Sequence, residues 1–113
     1  MDGGRSTAVP ILPKGFGYQS QIASAVKKAE KALAPDVVRI RHNLGEDWSG
    51  DPAIFFRIVL LNRASREAQL WKTTERVTNT ILKEVKPDEL DLLAYFDFRN
   101  VSEQAELKEE SWA

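Results

Sequence analysis

The chain contains no cysteine, and only one histidine and one methionine among its 113 residues. The lack of cysteine excludes disulfide bonds, thiolate metal sites and a cysteine nucleophile, and it fits a reducing compartment. No apolar run approaches the ~20 residues that a membrane-spanning helix requires. Met1–Gly17 also lacks the continuous apolar segment of a secretory signal. The sequence therefore predicts a cytoplasmic protein that does not contact a membrane.

The charges are nearly balanced, with a formal net charge of −1 at pH 7, but they are unevenly distributed. Residues 1–45 contain seven basic and three acidic side chains, residues 46–100 contain eight and ten, and residues 101–113 contain one and four. So small a net charge argues against non-specific nucleic-acid binding by the whole chain. The chain runs from a basic first part to an acidic tail.

Hydrophobic periodicity predicts five elements in the order α-β-β-α-β. Helical spacing of the apolar residues predicts helices over residues 20–34 and 65–85, each ended by a proline. Alternation, with β-branched and aromatic residues, predicts strands over residues 37–44, 53–61 and 92–99. Residues 1–17 are rich in glycine and proline and are interpreted as a flexible arm. We expect one domain over residues 18–100, followed by an acidic tail over residues 101–113.

The simplest architecture for this order is a β-hairpin joined through a helix to a third strand. It is an α+β fold, with a largely antiparallel three-stranded sheet and two helices on one face. The order resembles a trimmed ferredoxin-like fold, which the cytoplasmic domains of cation-efflux transporters share, although topology alone is weak evidence for function. Strand alternation predicts the helix-facing residues, namely Val38, Ile40, Ile54, Phe56, Ile58, Leu60, Leu92, Ala94, Phe96 and Phe98. Helical spacing predicts the core-facing stripe of the second helix, namely Leu70, Trp71, Thr74, Val77, Thr78, Ile81, Leu82 and Val85.

The opposite, outer face of the predicted sheet carries the residues best suited to binding. Arginine, tyrosine and phenylalanine are enriched at protein interfaces, and the strands place six of them on this face. With Trp48 of the hairpin loop and Trp112 of the tail they form the predicted partner-binding set. The strand members of this set are Arg39, Arg41, Phe55, Arg57, Tyr95 and Arg99.

Two other interpretations of the outer face stay open. Aromatic side chains could stack on bases while arginines hold phosphates, as in RNA-recognition sheets, although the strands carry no RNA-recognition signature. A solvated face with cross-strand ion pairs is the third interpretation. Val59 on the same face favours a protein partner over RNA.

An enzymatic function would rest on His42, the only histidine, and on the acidic hairpin loop. His42 shares the parity of the core-facing residues, and no motif supplies it with a nucleophile or an orienting carboxylate. The loop lacks the spacing of an EF-hand, which favours turn stabilisation by its side chains but leaves a Ca²⁺ or Mg²⁺ site open. We therefore predict no catalytic residue, no metal site and no cofactor, and rank a hydrolase or nuclease last. The loop residues are Glu46, Asp47, Ser49 and Asp51.

Three stretches of the sequence, Gly45–Leu60, Tyr95–Arg99 and Ser102–Leu107, resemble small, poorly characterised bacterial proteins. Such proteins resemble the smaller members of two-gene toxin–antitoxin or defence modules, which are paired with a helical HEPN-like protein. The resemblance implies a non-enzymatic, antitoxin-like or accessory subunit that forms a heteromer with a neighbouring gene product. It transfers no catalytic residue. A homodimer through the outer face is the other protein complex that the sequence allows.

Overall fold

The computed structural model describes residues 17–113, so nearly all of the predicted arm over residues 1–17 lies outside the described part. Three helices and three strands follow one another in the order α-β-β-α-β-α. The predicted class and the order of the first five elements are confirmed. None of the helices within residues 17–113 is both long and apolar enough to cross a membrane. The elements are α1 Gln19–Ala32, β1 Val37–Glu46, β2 Pro52–Leu60, α2 Glu67–Val85, β3 Leu93–Asn100 and α3 Val101–Leu107.

The three strands form one mixed sheet in the order β1-β2-β3. Strands β1 and β2 are an antiparallel hairpin in which Arg41 lies opposite Arg57. Strand β3 pairs in parallel with β2, with Tyr95 beside Phe55. The parallel pair follows from the connection, because α2 crosses the sheet and returns the chain in the direction of β2. Only the hairpin pair is antiparallel.

The core lies between the sheet and the two long helices. Strand β2 is central and contributes four buried side chains at alternate positions, so its predicted parity is confirmed. Phe56 stacks on Phe96 of β3, with ring centroids 5.1 Å apart. The helices add apolar residues at helical spacing. The main members of the core are Ile54, Phe56, Ile58 and Leu60 from β2, Ile22, Val26 and Ala29 from α1, and Val77, Ile81 and Val85 from α2.

Four residues predicted to face the core lie at the surface, namely Val38 of β1 and Leu70, Trp71 and Leu82 of α2. Val38 is 42% exposed, because the pairing of β1 with β2 shifts register between Val37 and Arg39 and places Val37 in the buried position. Trp71 is 75% exposed, because the buried stripe of α2 runs through Thr73 and every fourth residue after it. This stripe is narrower than the one predicted from the sequence.

Candidate functional site

The outer face is the side of the sheet away from α1 and α2. Strand pairing arranges its side chains in four rows, each with one residue from every strand. The structure thus brings together the six strand residues of the predicted partner-binding set. From the hairpin loop towards the other end of the sheet, the rows are Gly45–Ala53–Leu93, Asn43–Phe55–Tyr95, Arg41–Arg57–Asp97 and Arg39–Val59–Arg99.

The acidic tail turns back towards this face directly after β3. Asn100 and Glu103 form a reciprocal capping box, in which each side chain accepts a hydrogen bond from the other residue's backbone N–H at 2.8 and 2.9 Å. The box begins α3 at once, because it satisfies two amide groups that a helix start leaves free. Lys108 ends α3 in the left-handed conformation, with φ of 53°. The residues that follow, Glu109–Ala113, run across the outer face, and we call them the strap.

Three arginines of the outer face hold the strap by its backbone. Arg57, Arg39 and Arg41 donate from Nε to the backbone oxygens of residues 111, 112 and 113, in that order. The bonds of Arg57 and Arg39 measure 2.6 and 3.0 Å. The side chain of Arg57 also donates to the amide oxygen of Asn43. Three successive main-chain oxygens of the strap therefore accept from three positively charged side chains.

The side chain of Trp112 anchors the strap. Trp112 is only 6% exposed, and the guanidinium carbon of Arg99 lies 4.2 Å from its ring centroid, in cation–π geometry. Arg99 also forms an ion pair with Glu109 of the strap. Val59 in the same row is buried although it faces away from the helices. Trp112 was predicted to contact a partner, but it is buried in this structure against its own sheet, where it covers apolar surface.

Three arginines under the strap have no aspartate or glutamate partner. Among residues 17–113, no aspartate or glutamate forms an ion pair with Arg39, Arg41 or Arg57, whereas Arg99 pairs with Glu109. Arg41 and Arg57 lie directly opposite each other in the hairpin, and like charges in that position are destabilising. We call the two arginine rows, with the strap above them, the covered half of the outer face.

The other two rows, nearer the hairpin loop, form the open half. Phe55 and Tyr95 stack there with ring centroids 5.4 Å apart and an angle of 17° between their planes. Tyr95 and Leu93 both present exposed surface. Trp48 at the tip of the adjoining loop is 92% exposed. The open half therefore joins a stacked aromatic pair to a solvent-exposed tryptophan.

Hydrogen bonds to Asp47 hold the loop against the stacked pair. One carboxylate oxygen accepts from the Ser49 amide at 2.9 Å, from the Ser49 hydroxyl at 2.7 Å and from the Asp51 amide at 2.9 Å. The other accepts from the Tyr95 hydroxyl at 2.7 Å. The Tyr95 and Ser49 bonds lower the pKa of Asp47 to about 2, and Asp47 raises the pKa of Tyr95. The acidic side chains thus stabilise the turn, and no group of three potential metal-ligating residues occurs within residues 17–113.

His42 lies on the other side of the sheet from these groups. It is half-buried, opposite Phe56 in the hairpin, and it lines a cavity of about 330 Å³ with Gln19 and Ile22 of the α1 region. Burial is the larger cause that lowers its pKa, and the charge of Arg57 is the second. Asp47 instead bonds to Tyr95 on the outer face. The structure therefore does not bring His42 together with the loop carboxylates on which the hydrolase or nuclease alternative depends.

The single histidine provides a clean measurement of this environment. We expect NMR titration of the His42 ring to give a pKa below 6.5, because burial disfavours the charged ring. Arg57→Gln should raise this pKa only part of the way, since it removes the smaller cause. Because folding lowers this pKa, the contribution of His42 to stability is present above about pH 6.5 and is lost as the pH falls through the folded-state pKa.

The matched control for this titration is Arg41→Gln, which removes a neighbouring guanidinium whose charge is not one of the two causes that lower the His42 pKa. We expect its titration midpoint to equal that of the wild type. A midpoint unchanged in Arg57→Gln, or raised equally by both substitutions, would contradict this account of the His42 environment.

Sequence reasoning missed Glu109 and Ser111, which help hold the strap on the arginines. The capping pattern of Asn100 and Glu103 was a readable signal for a helix after β3, but no local pattern shows where the chain goes after Lys108. Comparison of the chain with models of protein families, with curated proteins and with solved structures found no match. The geometry of the outer face is therefore the main guide to function.

Proposed function

We propose that this protein is a non-enzymatic protein-interaction module that binds its partner through the open half of the outer face. One observation carries the proposal: Trp48 is almost fully exposed beside a stacked aromatic pair that a hydrogen bond ties to the same loop. Exposed apolar groups of this kind mark interaction sites. Tryptophan and tyrosine are also the residues most often found to dominate binding energy.

The contacts of Tyr95 in the open half lower the entropic cost of binding a partner. The stack with Phe55 and the bond to Asp47 restrict Tyr95 before any partner arrives. Side chains held in place lose less conformational freedom on association than mobile ones do. Arg41 is exposed at the border with the covered half and adds a charged rim to the aromatic centre.

The partner in this proposal is the product of a neighbouring gene, as the resemblance to two-gene toxin–antitoxin or defence modules implies. The chain would then act as an antitoxin-like or accessory subunit in a heteromer. Its role would be to cover or position the partner and not to transform a substrate. The separation of His42 from the acidic loop supports a non-enzymatic role.

Co-expression with the neighbouring gene product tests the proposal. We expect the partner to co-purify with the tagged wild-type protein and to be reduced at least tenfold, about 1.4 kcal/mol, by Trp48→Ser. Trp71→Ser is the matched control, because Trp71 is also largely exposed but lies on α2, away from the outer face. No co-purification with the wild type, or equal losses in both variants, would show the proposal to be wrong.

A further inference from the structure

Three arginines without an aspartate or glutamate partner lie close together in the covered half. Arg41 and Arg57 are directly opposite across the hairpin, and Arg39 lies two positions along β1, about 6.6 Å from Arg41. Within the described residues none of the three forms an ion pair with an aspartate or a glutamate, although Asp97 lies beside Arg57 in the same row. Such a group of like charges is unfavourable unless an anion lies among them. The group of arginines therefore resembles an anion-binding surface on which the strap lies in place of an anion.

The strap occupies the place of that anion with its main-chain oxygens. Each arginine gives one Nε hydrogen to a backbone oxygen of residues 111–113. A guanidinium has five N–H donors in a fixed fork, and Arg39 and Arg41 make no other hydrogen bond within residues 17–113. Most of their donor capacity is thus unused, and the peptide oxygens of residues 111 and 112 bring no formal charge.

We infer that the covered half is a second binding site, for the phosphate backbone of single-stranded nucleic acid, and that it opens when the strap leaves. Arginine forks bind phosphate oxygens with charge-assisted pairs of hydrogen bonds. The next row of the sheet holds the stacked Phe55–Tyr95 pair, whose ring faces can accept bases. An acidic peptide would satisfy the arginines but would leave these ring faces unused.

The contacts that hold the strap are few, and several lie near solvent. They are the three backbone hydrogen bonds from arginines, a hydrogen bond from the Gln104 side chain to the backbone oxygen of Glu109 at 3.1 Å, the ion pair of Arg99 with half-exposed Glu109, and the buried side chain of Trp112. An ion pair with an exposed member stabilises little, and a short surface segment can open without global unfolding. The strap is therefore suited to leave when a ligand competes for the arginines. A protein partner on the open half would share Phe55 and Tyr95, so the two ligands would exclude each other.

Two charge reversals on adjacent strap residues test this site. Glu109→Lys replaces the ion pair with Arg99 by repulsion, whereas Glu110→Lys changes the net charge equally at an exposed residue whose side chain forms no ion pair or hydrogen bond within the described residues. The probe is a fluorescein-labelled 12-nucleotide oligouridylate, followed by fluorescence anisotropy. We expect Glu109→Lys to bind it at least tenfold more tightly than Glu110→Lys. Engaging three phosphates gives a log–log salt slope of about −2.

Further variants decide between the outcomes of this experiment. Adding Arg41→Gln to Glu109→Lys should remove most of the gain, and Trp112→Ala, checked for folding by circular dichroism, should reproduce it without any change of charge. Equal binding by the two charge reversals, or a gain that survives Arg41→Gln, would overturn the inference. Equal competition by a 12-residue polyglutamate would assign the site to acidic peptides instead. None of these outcomes depends on Trp48, so they are separate from the test of the proposed function.

Discussion

Replacing Phe56 with alanine is expected to lower the free energy of unfolding by about 3–5 kcal/mol, the largest effect of any single change proposed for this chain. Phe56 is 1% exposed, occupies the central strand and stacks on Phe96 at 5.1 Å. Truncation loses the transfer free energy of the ring and leaves a cavity that the packed strands and helices cannot fill. Urea denaturation followed by far-ultraviolet circular dichroism measures the change.

Phe55 is the matched control, because it is the preceding residue of the same strand and faces the other side of the sheet. It is half-buried in the open half, where its neighbours are Tyr95 and the hairpin loop. We expect Phe55→Ala to cost about 1–2 kcal/mol, mainly from the loss of stacking and of part of the buried area. Equal losses for the two substitutions would contradict the assignment of the faces.

Replacing Trp112 with alanine is the second large change, with an expected loss of about 1–3 kcal/mol in the free energy of unfolding. The substitution removes the cation–π contact with Arg99 and the burial of an indole ring that is only 6% exposed. The loss stays below that of a central core residue because the strap can detach locally, which limits the penalty to the free energy of docking it.

Two other tryptophans serve as controls for this prediction. Trp48 and Trp71 are largely exposed, so their replacement by alanine should change the free energy of unfolding by no more than about 0.5 kcal/mol. Intrinsic fluorescence adds a second readout, because Trp112 is the one buried tryptophan of the three. A Trp112→Ala protein as stable as the wild type, with an unchanged emission maximum, would mean that the strap is not docked in solution.

The alternation along β2 was enough to predict the inner and outer faces of the sheet. The prediction worked because β2 is central and paired on both sides, so the face of every residue follows from parity. It failed at Val38, where the register of β1 shifts, since an alternating pattern carries no sign of an irregular pairing. It failed at Trp71 because periodicity identifies the apolar side of a helix but not how much of that side the neighbours cover.

The alternation along the strands also predicted, without any tertiary structure, that the arginines and aromatic residues share the outer face. The division of that face into an open and a covered half could not be predicted in the same way. Arg39 donates to the backbone oxygen of Trp112, which is 73 positions away in the sequence. Every residue has a backbone oxygen, so no sequence pattern shows which of them accept from the arginines. Residues 101–113 are acidic and the outer face is rich in arginine, but only the fold shows that the two meet within the same chain.

In this structure the strap covers half of the outer face and leaves the aromatic half open. Nuclear Overhauser effects between the indole ring of Trp112 and the side chain of Arg99 test it most directly. We expect clear cross-peaks between these groups. We also expect the NMR signals of the Arg99 side-chain protons to be shifted upfield, because the indole ring lies 4.2 Å from the guanidinium carbon. A Trp112 ring without cross-peaks to the sheet, together with unperturbed Arg99 shifts, would contradict it.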